Sequence, residues 1–209
     1  MTIAEESLQD RVAALIGAHP RLRAFAEAYL MRNTRPGADA DAVHHEIAGV
    51  FKLLDGRGRE PAVVRAFTPT DYECSGSVVE ATTDDLPYLV DSIAAELEAR
   101  DIGVRRVVHP IVGTERDHDG RLLRVLRPRD SARRESVMHF ELDRRLPDAE
   151  LAELGQRLLQ VLADVRRVVA DYPAMSQQIG RMVERARSGA GEYPFDEVNE
   201  TMAFLRWLL

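Results

Sequence analysis

The chain has 209 residues, 45% hydrophobic and 30% charged, enough to build a core without disulfides or structural metals. Its 28 basic and 35 acidic residues leave a net charge of −7, which argues against a general attraction to nucleic-acid phosphates. Cys74 is the only cysteine, which excludes an internal disulfide and a cysteine-rich zinc site, and no uncharged run is long enough for a membrane span.

The first third reads as helical. Ile3, Leu8, Val12, Leu15 and Ile16 keep helical spacing until His19-Pro20. Leu22, Phe25, Ala26, Tyr29 and Leu30 make a second stripe, which stops at the turn formers from Arg32 to Gly37. Asp39 and Asp41 offer capping carboxylates for a third helix whose buried face is Val43, Ile47, Val50, Phe51 and Leu54. After Pro61 the texture changes to short β-branched runs. Strands are predicted at 62–67 and 75–83. Leu86, Leu89, Val90, Ile93, Ala94 and Leu97 then fall on one face of a helix opened by Asp84 and Asp85.

A long strand is predicted from Val104 to Thr114, an Asp-Gly hairpin turn at Asp119-Gly120, and a return strand over 122–126. Ser136 to Asp143 alternates, with Val137, His139 and Glu141 on one face and Met138, Phe140 and Leu142 on the other, as in a half-buried antiparallel strand. A long helix starts at Pro147, with a break or bend expected at Pro173. A last helix runs from Phe195 to Leu209 and stops without a cap, which reads as a piece of a longer protein. The middle is thus strand, helix, strand, strand, strand, helix: an α+β sandwich of the ferredoxin-like type, its antiparallel sheet covered by helices on one face.

Chemistry-bearing patterns are sparse. Lys52 alone among the 28 basic residues is a lysine, so any catalytic lysine would have to be this one, and its helical setting predicts a solvated side chain. Gly56-Arg-Gly58 and Gly189-Ala-Gly191 lack the third glycine and the preceding strand of a dinucleotide fingerprint. None of the six histidines has metal-motif spacing, although His109 and His139 would meet on one sheet face if their strands paired. The arginine clusters Arg105-Arg106, Arg127/Arg129 and Arg133-Arg134 read as solvated charge, and no aromatic residues interleave with them for RNA. The turn from Glu80 through Ile93 stands out. It runs from strand to helix and exposes helix N-terminal amides beside Thr83 and Asp84, a place to hold a small polar ligand.

Thr82-Thr-Asp-Asp-Leu-Pro-Tyr-Leu-Val-Asp-Ser-Ile93 resembles the first turn and helix of ACT domains. With Val107-Val-His-Pro-Ile-Val112, Arg116-Asp-His-Asp-Gly-Arg121 and Glu135 to Arg144, it is similar to the N-terminal region of the large bacterial NAD-dependent glutamate dehydrogenases. Arg65-Ala-Phe-Thr-Pro-Thr70, Tyr172-Pro-Ala-Met175 and Glu200 to Leu208 fit in order, while the first sixty residues match only in helical character.

The resemblance implies a parent enzyme that oxidises L-glutamate to 2-oxoglutarate and ammonia with NAD. The catalytic domain and the NAD site would lie downstream, leaving no catalytic residue, cofactor or metal here. It implies a helical segment over 1–60, an ACT-like domain over 61–170 and a helical lead into the parent chain over 171–209. Expected partners are other domains or subunits of the same enzyme in a cytoplasmic homo-oligomer, without nucleic acid or membrane. Where ACT relatives carry glycine, this chain has Tyr88, whose side chain obstructs close approach of a ligand. A regulatory or assembly role through packing is therefore expected first. An amino-acid sensor using Thr83, Asp84, Asp85 and Leu86 is the other reading.

Overall fold

The computed structural model describes residues 7–31, 38–72, 74–189 and 191–209. Ile3, the Arg32 to Gly37 turn and Ala190 lie outside the described residues. Three helices open the chain: α1 (Leu8–Ile16), α2 (Pro20–Leu30) and α3 (Ala40–Gly56). Ser7, His19 and Asp39 cap them, each side chain accepting from a first-turn amide. The predicted faces are buried, except that Leu8 is partly buried and Leu15 exposed. Lys52 is exposed on α3.

Six strands follow: β1 (Ala62–Phe67), β2 (Val78–Asp84), β3 (Val104–Val108), β4 (Ile111–Arg116), β5 (Leu122–Leu126) and β6 (Arg134–Leu142). Helix α4 (Leu89–Ala99) lies between β2 and β3 in sequence, and α5 (Asp148–Ser188) follows β6. All pairings are antiparallel, in the order β1-β2-β6-β4-β5, with β3 also on β6. β6 is therefore inserted between β2 and the β3–β4 segment, which run parallel to each other on either side of it. This is a split β-α-β arrangement, and the fold is α+β and ACT-like.

The predicted single strand over 104–114 is two. Pro110 has no N–H for the ladder, so the chain bends there, and β3 and β4 occupy successive stretches of the same β6 edge. The Pro110 carbonyl still accepts from Val137 N at 3.0 Å. Pro173, in contrast, does not end α5. It lies on the exposed side of the helix, where water can reach the carbonyl left without a donor.

Strand β6 is buried on both faces rather than one. Met138, Phe140 and Leu142 are fully buried on the face opposite Val137. α4 and α5 contribute Leu89, Ile93, Leu97, Leu151, Leu154 and Leu158 to the core. Arg100 and Arg157 tie these two helices through Glu96 and Glu153. The N-terminal helices cover the other face, their side chains sharing one cluster with Val108, Val112, Leu122, Val125 and Val137. The polar residues of that face are thus enclosed beneath a helical layer.

Tight glycine packing fixes where this layer ends. Gly120, in the β4–β5 turn, has φ +83°, and a Cβ there would lie 2.5 Å from the Gly58 carbonyl carbon just after α3. The chain divides into two compact units, Met1–Ala163 and Asp164–Leu209, the second holding the rest of α5 and α6 (Phe195–Trp207). Among the described residues, no helix is long and apolar enough to cross a membrane.

Candidate functional site

The singled-out turn is filled by its own chain. Thr83 is buried, and its hydroxyl donates to the Pro61 carbonyl at 3.1 Å. Asp84 closes β2 instead of opening α4. Its Oδ1 accepts from Arg57 at 2.9 Å and from Arg133 at 3.0 Å. Asp85 accepts from the Ser136 hydroxyl at 3.0 Å, and its amide donates to the Arg134 carbonyl. Leu86 is half-buried beside them. The structure thus brings the four residues together, but the hydrogen-bonding groups of Thr83, Asp84 and Asp85 are already engaged by neighbours.

Helix α4 begins one turn later than the acidic pair suggests. Its cap is Tyr88, in the left-handed region with φ 68° and no side-chain cap bond. This is the position where the resemblance expects glycine, and the backbone keeps the conformation that glycine favours. The tyrosine ring is 66% exposed and gains little packing in return. Tyr88→Gly is expected to leave stability within about 1 kcal/mol, because released backbone strain offsets the greater freedom of the unfolded glycine. Tyr88→Val, β-branched in the same conformation, should cost about 1–2 kcal/mol. Urea unfolding midpoints of the two variants would check both.

Behind the turn lies a buried charge centre that the sequence did not suggest. Arg57 follows α3, Arg116 ends β4, and Glu135 sits near the start of β6. Arg57 and Glu135 are 1% and 0% exposed. Arg57 Nη1 donates to Glu135 Oε2 at 2.8 Å, and Arg116 Nε donates to Oε1 at 2.7 Å. The Thr114 hydroxyl adds a third donor at 2.6 Å. The remaining guanidinium groups bond the carbonyls of Glu60, Pro61, Leu54 and Gly120. Burial alone would raise the Glu135 carboxyl, but Arg116, Thr114 and Arg57 outweigh it and pull it down to about 2.

A second centre lies under α2 and α3. A β-bulge after Val104 sets Arg106 opposite Glu141. Arg106 Nη2 donates to Glu46 and to Glu141, each at 2.6 Å, and lies 3.3 Å from His139 Nε2. Tyr29 donates to Glu46 at 2.6 Å, and His139 Nδ1 meets Glu80 at 3.1 Å. Burial would raise Glu46, but His139 and Arg106 hold its carboxyl below the usual range. The Tyr29 hydroxyl is raised well above its usual value by burial and Glu46. Glu46, His139 and Glu141 are close enough to share a metal ion, but Arg106 already supplies a positive charge among them. His139 turns to Glu80 and Arg106. Arg106 and Arg133, predicted as solvated, are drawn into these networks by the carboxylates of distant elements.

The glycine pairs do not fit a nicotinamide dinucleotide. Gly56 ends α3 and Gly58 follows it, and Gly189 and Gly191 follow α5, whereas the dinucleotide turn leads from a strand into a helix.

The split β-α-β sheet and its strand-to-helix turn place the protein in the ACT-like class. The glutamate dehydrogenase ACT1 domain model matches residues 7–158, and the chain belongs to that family. It is 32% identical over 168 residues to the NAD-specific glutamate dehydrogenase of Pseudomonas aeruginosa, covering 76% of this chain and 10% of the relative. The enzyme of the same name from Halomonas elongata is 34% identical over 179 residues, 81% of this chain and 11% of the relative. That of Mycobacterium tuberculosis is 27% identical over 151 residues, 70% of this chain and 9% of the relative. The chain spans about a tenth of the length of the curated relatives it matches.

Proposed function

We propose that this chain is a non-catalytic ACT-like module that serves regulation or assembly of a large NAD-dependent glutamate dehydrogenase. The parent enzyme would oxidise L-glutamate to 2-oxoglutarate and ammonia in the cytoplasm, with NAD and substrate held by domains outside this chain. The relatives' names and the family match support the parent. The observation that carries the module's role is the filled turn. Thr83, Asp84 and Asp85 spend their hydrogen bonds on Pro61, Arg57, Arg133 and Ser136, so an amino acid arriving there would have to displace bonds already made. A turn whose polar groups already bond to neighbouring elements suits packing against other domains or subunits better than ligand capture.

Two measurements test this reading. Calorimetric titration of the 209-residue chain with each amino acid at millimolar concentration is expected to give no binding heat. Heat that vanishes in Asp84→Ala would establish the sensor reading at Thr83, Asp84, Asp85 and Leu86 instead. Glutamate-dependent NADH formation by the chain alone is expected to be absent, and turnover would overturn the non-catalytic role.

A further inference from the structure

The charge centre beneath α2 and α3 converges on one nitrogen atom. Arg106 Nη2 lies 2.6 Å from Glu46, 2.6 Å from Glu141 and 3.3 Å from His139 Nε2. One ligand atom from each of those three residues falls within 4.8 Å of the others. Arg106 can only donate, so its contact with His139 uses the Nε2 lone pair and leaves the ring proton on Nδ1, facing Glu80 at 3.1 Å. A carboxylate behind an imidazole is the arrangement that aims a histidine at a metal ion. The Tyr29 hydroxyl, 2.6 Å from Glu46, steadies that carboxylate in the same way.

The guanidinium fills this place poorly. Its Nε and Nη1 are buried without a hydrogen-bond partner, and the Tyr72 hydroxyl is buried without one as well. Burial and the charges of Glu46 and Glu80 raise that hydroxyl above its usual value. Arg106 brings one positive charge to the two carboxylates that it bonds, and a divalent ion brings two. Among the described residues β3 pairs with β6 alone, and Arg105 and Val107 on either side of Arg106 are exposed. The Arg106 side chain can therefore turn out to solvent past a strand edge without unpairing the sheet.

We propose that a divalent metal ion of the zinc class takes the place of the Arg106 guanidinium, held by Glu46, Glu141 and His139 Nε2. An imidazole with two carboxylates suits such an ion better than magnesium or calcium, which favour oxygen alone. Closing to zinc bonds of roughly 2.0–2.2 Å moves each carboxylate by about half an ångström and the imidazole by about one. The exchange differs from displacement at the Thr83 to Asp85 turn, because each ligand atom trades a hydrogen bond for a metal bond. The ion would join α3 to β6 as Arg106 does.

Zinc titration of the 209-residue chain, read by calorimetry and by thermal unfolding, tests it. The wild type is expected to bind one zinc ion per chain at sub-millimolar concentration and to unfold several degrees higher with it. Glu141→Gln removes the least buried of the three ligands and should weaken binding about tenfold or more with unchanged circular dichroism. Arg106→Ala, which deletes the competing cation, should unfold earlier than the wild type in EDTA, bind zinc about tenfold more tightly and regain its Tm when zinc is added. The comparison of wild type with Glu141→Gln decides the case even where Arg106→Ala fails to fold. A wild-type chain that binds no zinc would overturn the proposal. So would a folded Arg106→Ala that binds no more tightly, or equal binding by wild type and Glu141→Gln, the mark of an adventitious ion on exposed His45 or His118.

Discussion

Glu135→Ala is expected to destabilise the chain by about 3–5 kcal/mol, a large fraction of the stability of an ordinary domain. The carboxylate is fully buried and is the shared acceptor for Arg57, Arg116 and Thr114. Its removal leaves two guanidinium groups enclosed beneath the N-terminal helices with too few acceptors. The cost comes from those stranded charges more than from the attraction lost, which is why deleting one member of a buried pair is worse than replacing all of them with apolar groups. Chemical denaturation followed by circular dichroism would measure it. A loss under 1 kcal/mol, the range of exposed ion pairs, would mean that water reaches the cluster.

Acid should have a related effect. The Glu135 carboxyl sits at about 2 in the folded chain against 4.5 for the free group. A depressed folded value means that the folded state binds the proton later than the unfolded one. The stabilisation is therefore complete above about 4.5 and is lost as the pH falls toward 2. The expected loss is roughly 3 kcal/mol from this group, and Glu46 acts in the same direction. Denaturation midpoints measured from neutral pH down to pH 3 should fall in the wild type and fall less steeply in Glu135→Ala. Equal slopes in the two proteins would assign acid sensitivity to other carboxylates.

Most elements of the fold were legible in the sequence because they depend on local periodicity. The face of α4 from Leu89 to Leu97 and the alternation of β6 carry their own signal. The division of β3 from β4 was also present, in Pro110, but a proline inside an otherwise apolar run reads equally well as an edge-strand residue. The charge centres were hidden for a different reason. Arg57 and Glu135 are 78 positions apart, and Glu46 and Arg106 are 60 apart, so no spacing rule connects them. The sequence did hold a hint. Glu46 sits inside the apolar stripe Val43, Ile47, Val50, and Glu80 and His139 occupy strand positions flanked by buried apolar residues. A carboxylate in such a place needs a buried cation, and the arginines were available to provide it. Asp84 misled for a local reason, since an acidic residue before a helical stripe looks like a cap whether or not a partner elsewhere has claimed it.

Both charge centres engage the same helix. Glu46 lies in the middle of α3 and Arg57 immediately after it, and through them the helix is tied to β6 at Glu141 and Glu135, nearly the full length of the strand. Lifting α3 would expose several charges in one event, with no partial opening that releases only one end cheaply. Helix α3 and strand β6 should therefore behave as one cooperative folding unit, their backbone amides exchanging with solvent together at the slow end of the molecule's range.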